Sequence, residues 1–117
     1  MRDGTDVAAE LAAAFEAADS LVDEMAQAGR RLAEREREYR MAKRKRILYE
    51  RASNKTPVGL IADVVKGYED ISLLALERDC AGAEYEAVKE AIMLNKRKID
   101  WLREQWGREW AQAGDRR

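Results

Sequence analysis

The 117 residues of this sequence include no histidine, one cysteine (Cys80) and one proline (Pro57). Histidine is the commonest general base near neutral pH and the commonest protein ligand of transition metals. Its absence argues against zinc sites and most hydrolytic triads, and the sequence has no glycine-rich phosphate loop or nucleophile elbow. We therefore expect a protein that is not an enzyme and that uses no metal or cofactor. A single cysteine also excludes an intramolecular disulfide bond.

Long apolar runs are missing as well. The apolar stretches, such as the one around residues 71–76, are only a few residues long, far shorter than the roughly 20 residues that cross a bilayer. Asp3 and Asp6 stand near the N-terminus, where a secretion signal would have basic and then apolar residues. We expect a cytoplasmic protein that does not associate with membranes. The charged fraction of 38% and the apolar fraction of 46% are typical of a folded, helix-rich chain.

The sequence does contain a seven-residue apolar repeat in two long segments, roughly residues 7–52 and 69–112. In the first segment the repeat comprises Leu11, Ala14, Ala18, Leu21, Met25, Ala28, Leu32, Arg35, Tyr39, Ala42, Arg46, Tyr49 and Ser53. In the second it comprises Ile71, Leu74, Arg78, Ala81, Tyr85, Val88, Ile92, Asn95, Ile99, Leu102, Trp106 and Glu109. Such a repeat keeps one stripe of each helix facing a partner helix. We predict a single all-α domain, residues 1–117, built as an antiparallel coiled-coil hairpin.

The turn of the hairpin is predicted at residues 53–57, where Thr56 is a good N-cap and Pro57 suits the first position of a helix. A short helix is expected from about 57 to 66, with Gly67 as its C-terminal cap. The last helix is then expected to begin at Glu69 or Asp70, because carboxylates are favourable at a helix N-terminus. An alternative reading breaks the first long helix at Gly29.

Charge favours the antiparallel orientation. Residues 1–29 contain seven acids and one base, and residues 30–55 contain four acids and eleven bases. Residues 56–92 contain eight acids and three bases, whereas residues 93–117 contain four acids and seven bases. An antiparallel hairpin brings acidic blocks beside basic blocks, whereas a parallel pair would place like charges together.

The pairing that best matches large side chains with small ones has paired positions that sum to about 121. The neighbours that it predicts are Tyr39 with Ala81 and Gly82, Tyr85 with Ala33 and Arg35, Arg35 with Glu84, and Arg46 with Glu77. The two arginines of the stripe are expected to fix the register by forming ion pairs.

Two helices bury only one stripe each, and this chain carries more apolar residues than that. Trp106 and Trp110 are expected to meet Leu11 and Phe15 at the open end of the hairpin. The candidate protein-interface residues are Val58, Ile61, Val65, Trp101 and Trp110. We predict a homo-oligomer, with a dimer favoured, in which two hairpins form a four-helix bundle, and we expect a further protein partner.

A basic segment at residues 37–55 is the alternative candidate site. Clustered cations on a helix can follow a phosphate backbone and release its counterions. The candidate nucleic-acid-binding residues are Arg37, Arg40, Lys43, Arg44, Lys45, Arg51 and Lys55. Nucleic acid is the less favoured partner, because the four consecutive cations 43–46 point around the helix and an acidic block is predicted beside them.

Several segments resemble a group of small helical proteins encoded by bacteriophages and prophages. The similar segments lie within residues 30–110 and read YRMAKRKRILYERASNKTP, VVKGYED, LERDCAGAEYEAVKEAI and IDWLREQW. The resemblance implies an early or accessory phage product that binds a host or phage component in the cytoplasm of a bacterial host. Inhibition or recruitment of a host enzyme or defence component would fit such a role. The resemblance assigns no functional residue.

Overall fold

The structure, a computed structural model, describes residues 4–115. It contains three helices, α1 (Gly4–Ala52), α2 (Val58–Lys66) and α3 (Glu69–Asp115), and no strand within the described residues. The two long helices pack against each other as a hairpin, so the predicted fold class is confirmed. Asp3, which we used in predicting the location of the protein, lies outside the described residues. None of the helices between residues 4 and 115 is both long and apolar enough to cross a membrane.

The predicted apolar stripes form the interface between α1 and α3. Every stripe position of α3 is buried or half-buried. On α1 the same holds as far as Arg46, but Tyr49 and Ser53 are exposed and Glu50 is buried instead. The stripe therefore moves by one residue where α1 approaches its end. Helix α1 continues through Gly29 without a break, which settles the alternative reading of that glycine.

The chain divides into two compact units. The first unit combines the residues up to Ala26 with the residues from Ala87 onward. Its buried residues are Val7 and Ala14 on α1 and Ile99 and Leu102 on α3, with Leu11, Ala18 and Trp106 packed against them. The contact of Trp106 with this core confirms its predicted structural role. The amide of Asn95, the polar residue of the α3 stripe, donates a hydrogen bond of 3.0 Å to the carbonyl of Ala14.

The second unit comprises Gln27–Glu86 and contains α2. Its apolar cluster joins Ile61 and Val65 on α2 to Ile71 on α3, and Tyr39, Ala42, Ile47 and Tyr68 pack around them. Ile61 and Val65 are spaced by one helical turn, so they share one face of α2. Because both are buried in this unit, they are core residues, and our assignment of Ile61 and Val65 to an exposed protein interface was wrong.

The register of the second unit differs from the prediction by between one and two helical turns. Tyr85 lies against Gly29 instead of Ala33, and Gly82 lies against Leu32. Arg31, instead of Arg35, pairs with Glu84 at 3.5 Å. The match of large with small side chains holds, with Gly29 in place of Ala33 against the Tyr85 ring. Charge blocks of about 25 residues cannot distinguish registers that differ by a turn or two.

Two further ion pairs replace those predicted for the stripe arginines. Arg35 pairs with Glu38, one turn along its own helix, at 3.0 Å. Arg46 pairs with Asp70 at 3.2 Å instead of with Glu77. Both pairs are about half exposed, so each contributes at most about 1 kcal/mol. Arg46 gains a second contact, because its guanidinium lies 4.3 Å from the centroid of the Tyr68 ring.

Candidate functional site

The turn between α1 and α2 is organised around the buried carboxylate of Glu50. The side chain of Glu50 is 0% exposed. It accepts hydrogen bonds from the hydroxyls of Thr56 and Tyr68 and from the amide of Asn54. The backbone N–H of Thr56 also donates to the carbonyl of Glu50, at 2.9 Å. One glutamate therefore holds both ends of the connection, from the last turn of α1 to the residue before α3.

We predicted that Thr56 would be the N-cap of α2, and this prediction was wrong. Pro57 occupies the N-cap position of α2, and no side chain caps it. Thr56 instead donates its hydroxyl to Glu50. A buried carboxylate without donors would be strongly destabilising, so the hydroxyl is more valuable there than on an exposed helix end. At the other end of α2, the N–H of Gly67 donates to the carbonyl of Val64, as expected for a C-terminal cap.

The hydrogen bonds also decide the ionisation of this cluster. The donors Thr56 and Tyr68, in that order, lower the pKa of Glu50 below its ordinary value of 4.5 and outweigh the effect of burial. The positive charge of Arg46 acts in the same direction. The hydrogen bond to Glu50 raises the pKa of Tyr68 above 10.0, because the phenol loses a favourable contact when it ionises. Glu50 is therefore a buried anion at neutral pH.

Above this cluster, α2 presents a second apolar face to the solvent. Leu60 and Val64, one turn apart, form what we call the outer ridge, and they are 55% and 40% exposed. Val58, at the first turn, is 80% exposed. In a short helix that covers the core of its own unit, the outward positions are usually polar. The outer ridge is therefore apolar surface that the described chain leaves uncovered.

The two tryptophans of the predicted interface are exposed, in contrast to Ile61 and Val65. Trp101 and Trp110 are both exposed on α3, in the first unit. The rings of Trp106 and Trp110 meet edge to face, with 5.8 Å between their centroids. Trp110 is thus supported on one side by Trp106 while its other side remains exposed. Of the five predicted interface residues, Val58, Trp101 and Trp110 keep an exposed position.

The basic residues of α1 divide into those with partners and those without. Arg40 pairs with Glu36 at 3.6 Å, and Lys43 lies 5.6 Å from the centroid of the Tyr39 ring. Some exposed side chains have no ion pair, hydrogen bond or ring contact within residues 4–115, namely those of Arg30, Arg37, Arg44, Lys45, Arg51 and Lys55.

Four of these unpaired cations follow a strict spacing. Arg30, Arg37, Arg44 and Arg51 are seven residues apart and all exposed, so they lie along the face of α1 that points away from α3. We call them the arginine row. Arg37, Arg44 and Arg51 are among the predicted nucleic-acid-binding residues and Arg30 is not. A count in sevens from Arg30 finds all four in the sequence.

An open groove of about 590 Å³ lies beside this basic segment in the second unit, lined by Glu38, Met41, Ala42, Lys45, Arg46, Tyr49 and Asp70. Its charged groups are partly neutralised by the pair of Arg46 with Asp70. No group of three or more cysteine, aspartate or glutamate side chains in the described part of the chain is arranged to hold a metal ion. The exposed Cys80 is a free thiol.

Comparison with known proteins adds no relative: no protein-family model, no curated protein and no solved structure matches this chain.

Proposed function

We propose that this chain is a non-enzymatic accessory protein that acts by binding another protein, and that the outer ridge of α2 is its binding surface. The proposal rests on one observation: α2 has apolar side chains on two faces, one buried and one exposed. Ile61 and Val65 are buried, whereas Leu60 and Val64 are exposed. Many proteins bind a partner through exposed apolar side chains that are one turn apart on a well-ordered helix.

The support under the outer ridge favours a preformed site. The Glu50 cluster fixes the segment before α2, and the cluster of Ile61, Val65 and Ile71 fixes the helix itself. A site that is ordered before binding loses less conformational entropy when the partner docks. Because several segments resemble those of small phage and prophage proteins, we propose a host or phage protein as the partner and the cytoplasm of a bacterial host as the location.

Quantitative affinity capture from the host cell tests this proposal. The test variant, Leu60→Lys/Val64→Lys, places two cations on the outer ridge without touching the core. The control, Val22→Lys/Leu48→Lys, makes the same change at two exposed apolar residues of α1. We expect the test variant to lose at least tenfold of a specific partner that the wild type and the control both retain. Equal recovery by all three proteins would contradict the use of the outer ridge.

Nucleic-acid binding by α1 is the second candidate function, and the arginine row is the observation that favours it. Unpaired guanidinium groups at regular intervals can each neutralise a phosphate. At 1.5 Å per residue, the row from Arg30 to Arg51 extends over about 30 Å. The overall net charge of −1 weakens long-range attraction to a polyanion, which is why we rank this function second.

A salt titration of DNA and RNA binding tests the second candidate. We expect Arg37→Gln/Arg44→Gln/Arg51→Gln to flatten the dependence of log K on log salt by about three, one for each lost phosphate contact. The control, Lys96→Gln/Lys98→Gln/Arg108→Gln, removes the same charge from α3 and should leave the slope unchanged. Absence of binding by the wild type at about 50 mM salt would exclude this function.

A further inference from the structure

Helix α3 carries a second heptad stripe on the face that points away from α1. The stripe positions are Leu73, Leu76, Cys80, Ala83, Ala87, Glu90, Leu94, Arg97 and Trp101, alternately three and four residues apart. Seven of these nine residues are apolar, counting the cysteine. Every one of the nine is exposed. We call this set the outer stripe of α3, to distinguish it from the stripe that contacts α1.

A surface helix that needs only one packing face does not require a second apolar heptad. The four large residues of the outer stripe, Leu73, Leu76, Leu94 and Trp101, are 48% to 60% exposed. Their three-and-four spacing is the pattern by which one helix packs against another along its length. A helix that displays it on both faces is suited to lie between two other helices.

The exposed area of the chain leaves room for such a partner. The accessible surface is 8937 Å² for a mass of 13.4 kDa, whereas a folded monomer of this mass typically exposes about 6,500 Å². The difference, about 2,400 Å², is well above the roughly 800 Å² that each partner buries in a standard stable interface. A stable dimer therefore needs only part of this surplus.

Charge selects both the partner and its direction. Residues 73–86 contain four acids and one base, and residues 87–101 contain two acids and four bases. A parallel pair of these stripes would place like charges side by side. An antiparallel pair brings the acidic half of each helix beside the basic half of the other, which is how flanking charges set orientation in coiled coils. A second copy of this chain supplies that complement without any other protein.

We propose that two copies of this chain associate through the outer stripes of their α3 helices, which lie antiparallel about a two-fold axis near Ala87. In antiparallel coiled coils the two kinds of core position alternate across the interface. That rule gives paired positions that sum to about 177 and places Leu76 beside Trp101 and Ala83 beside Leu94 of the second copy. Leu76 and Trp101 thus form a large apolar contact, and the small side chain of Ala83 leaves room for Leu94. The proposal is independent of the outer ridge of α2 and of the function assigned to it.

Sedimentation equilibrium tests the association. We expect the wild type to have about twice the 13.4 kDa mass of the chain. Leu76→Glu/Leu94→Glu should have the mass of one chain, because two carboxylates would be buried without partners. The control, Val22→Glu/Leu48→Glu, makes the same change at exposed residues of α1 and should remain dimeric. Circular dichroism checks that all three proteins remain helical. A monomeric wild type, or a dimer that survives the outer-stripe change, would overturn the proposal.

Cysteine crosslinking tests the direction, and the native thiol provides the control. In the antiparallel pair the two Cys80 residues lie about 25 Å apart along the helix axis, whereas residues at position 87 lie close to the axis of symmetry. We expect a short bis-maleimide to link two copies of Cys80→Ala/Ala87→Cys and to leave the wild type unlinked. Linkage through Cys80 would show a parallel pair and would refute the antiparallel arrangement, as would failure of the residue 87 variant to link.

Discussion

The two compact units of this protein are built from the same pair of helices but stabilise them differently. In the first unit the core consists of apolar side chains from α1 and α3, with one amide, that of Asn95, bonded to a backbone carbonyl. In the second unit a third helix joins the core, and beside it lies the buried carboxylate of Glu50 with three side-chain donors. The comparison shows that a straight stretch of hairpin needs only a heptad, whereas the connection needs a polar cluster.

The polar cluster has a physical reason in the second unit that does not exist in the first. Where α1 ends, its last carbonyl groups lose their helical partners, and the chain must then turn and start α2 within a few residues. The N–H groups of Ser53 and Asn54 donate to the carbonyl of Tyr49, and the N–H of Thr56 donates to the carbonyl of Glu50, so two of these carbonyls are satisfied. The carboxylate of Glu50 then accepts hydrogen bonds from the side chains of Asn54, Thr56 and Tyr68. We therefore expect the stability of the second unit to depend on pH through Glu50.

The largest expected effect comes from the apolar cores, where the two units should respond alike. Leu102→Ala in the first unit and Ile71→Ala in the second each remove a fully buried side chain. Each should lower the free energy of unfolding by about 2–5 kcal/mol, as measured by urea denaturation. Leu48→Ala, at an exposed position of α1, is the control and should cost far less. If only one of the two substitutions lowered the free energy of unfolding, the packing of α1 against α3 would depend on the core of that unit alone.

Glu50→Gln should show that the ionised carboxylate in the second unit makes stability depend on pH. Because the pKa of Glu50 is lowered in the folded state, the ionised carboxylate stabilises the fold above about pH 4.5, and this contribution is lost as pH falls through the lowered pKa. At pH 7 we expect the Tm of the variant to be lower by about 5 °C or more. Its Tm should also depend less on pH below 4.5.

The control for that experiment is Glu77→Gln, which changes an exposed carboxylate of the same unit. Its thermal melts from pH 3 to 7 should follow the wild type. If Glu50→Gln and Glu77→Gln gave the same pH profile, the buried carboxylate would not be the pH-sensitive group. Combining Glu50→Gln with Leu102→Ala should leave the pH effect unchanged, since the two residues belong to different units.

Tyr68→Phe should lower the Tm by less than Glu50→Gln does, and its effect should depend on pH in the opposite direction. The pKa of Tyr68 is raised in the folded state, so the neutral phenol stabilises the fold below about pH 10 and this contribution is lost as pH rises through the raised pKa. Removal of the hydroxyl should lower the Tm by a few degrees at pH 7 and abolish the alkaline loss. A variant that melted at the wild-type temperature at pH 7 would contradict a role for this hydrogen bond.

The smallest effect is a gain, and it compares the helix packing of the two units. A Cβ added at Gly29 would lie 3.5 Å from the Tyr85 ring, an ordinary contact, and one at Gly107 would meet nothing within 4 Å. Both glycines are inside helices, so Gly29→Ala and Gly107→Ala should each stabilise the protein by about 0.5–1 kcal/mol. Chemical denaturation measures both. A loss of stability at Gly29 alone would mean that the ring packs more closely than the structure shows.

Much of this fold could be predicted from the sequence, because periodicity and punctuation are local signals. The heptads of α1 and α3 gave the stripes, and Pro57 and Gly67 gave the bounds of α2 to within a residue. The register could not be derived, since a heptad repeat looks the same after every two turns. Tyr85 settles at Gly29 because of a three-dimensional fit that residue counting does not resolve.

The candidate site was harder to predict than the fold. Glu50 lies one residue from the predicted stripe, and nothing in its local sequence shows that Thr56 and Tyr68 would converge on it. The sequence shows apolar residues on two sides of α2 but does not show which side faces the core, and the prediction placed the side of Ile61 and Val65 at the interface. Only the packing of α2 against Ile71 separates the buried pair from Leu60 and Val64. The arginine row was visible in the sequence and needed only the same count in sevens.

The most direct test of the central claim, that the protein acts through the exposed face of α2, is photocrosslinking in living cells that contain the protein. A benzophenone amino acid in place of Leu60 should become linked to one specific protein other than this chain. The same probe at Leu48, equally exposed on α1, should not become linked to it. If the probe at Leu60 links to no other protein, or to the same proteins as the probe at Leu48, the outer ridge of α2 is not a binding surface.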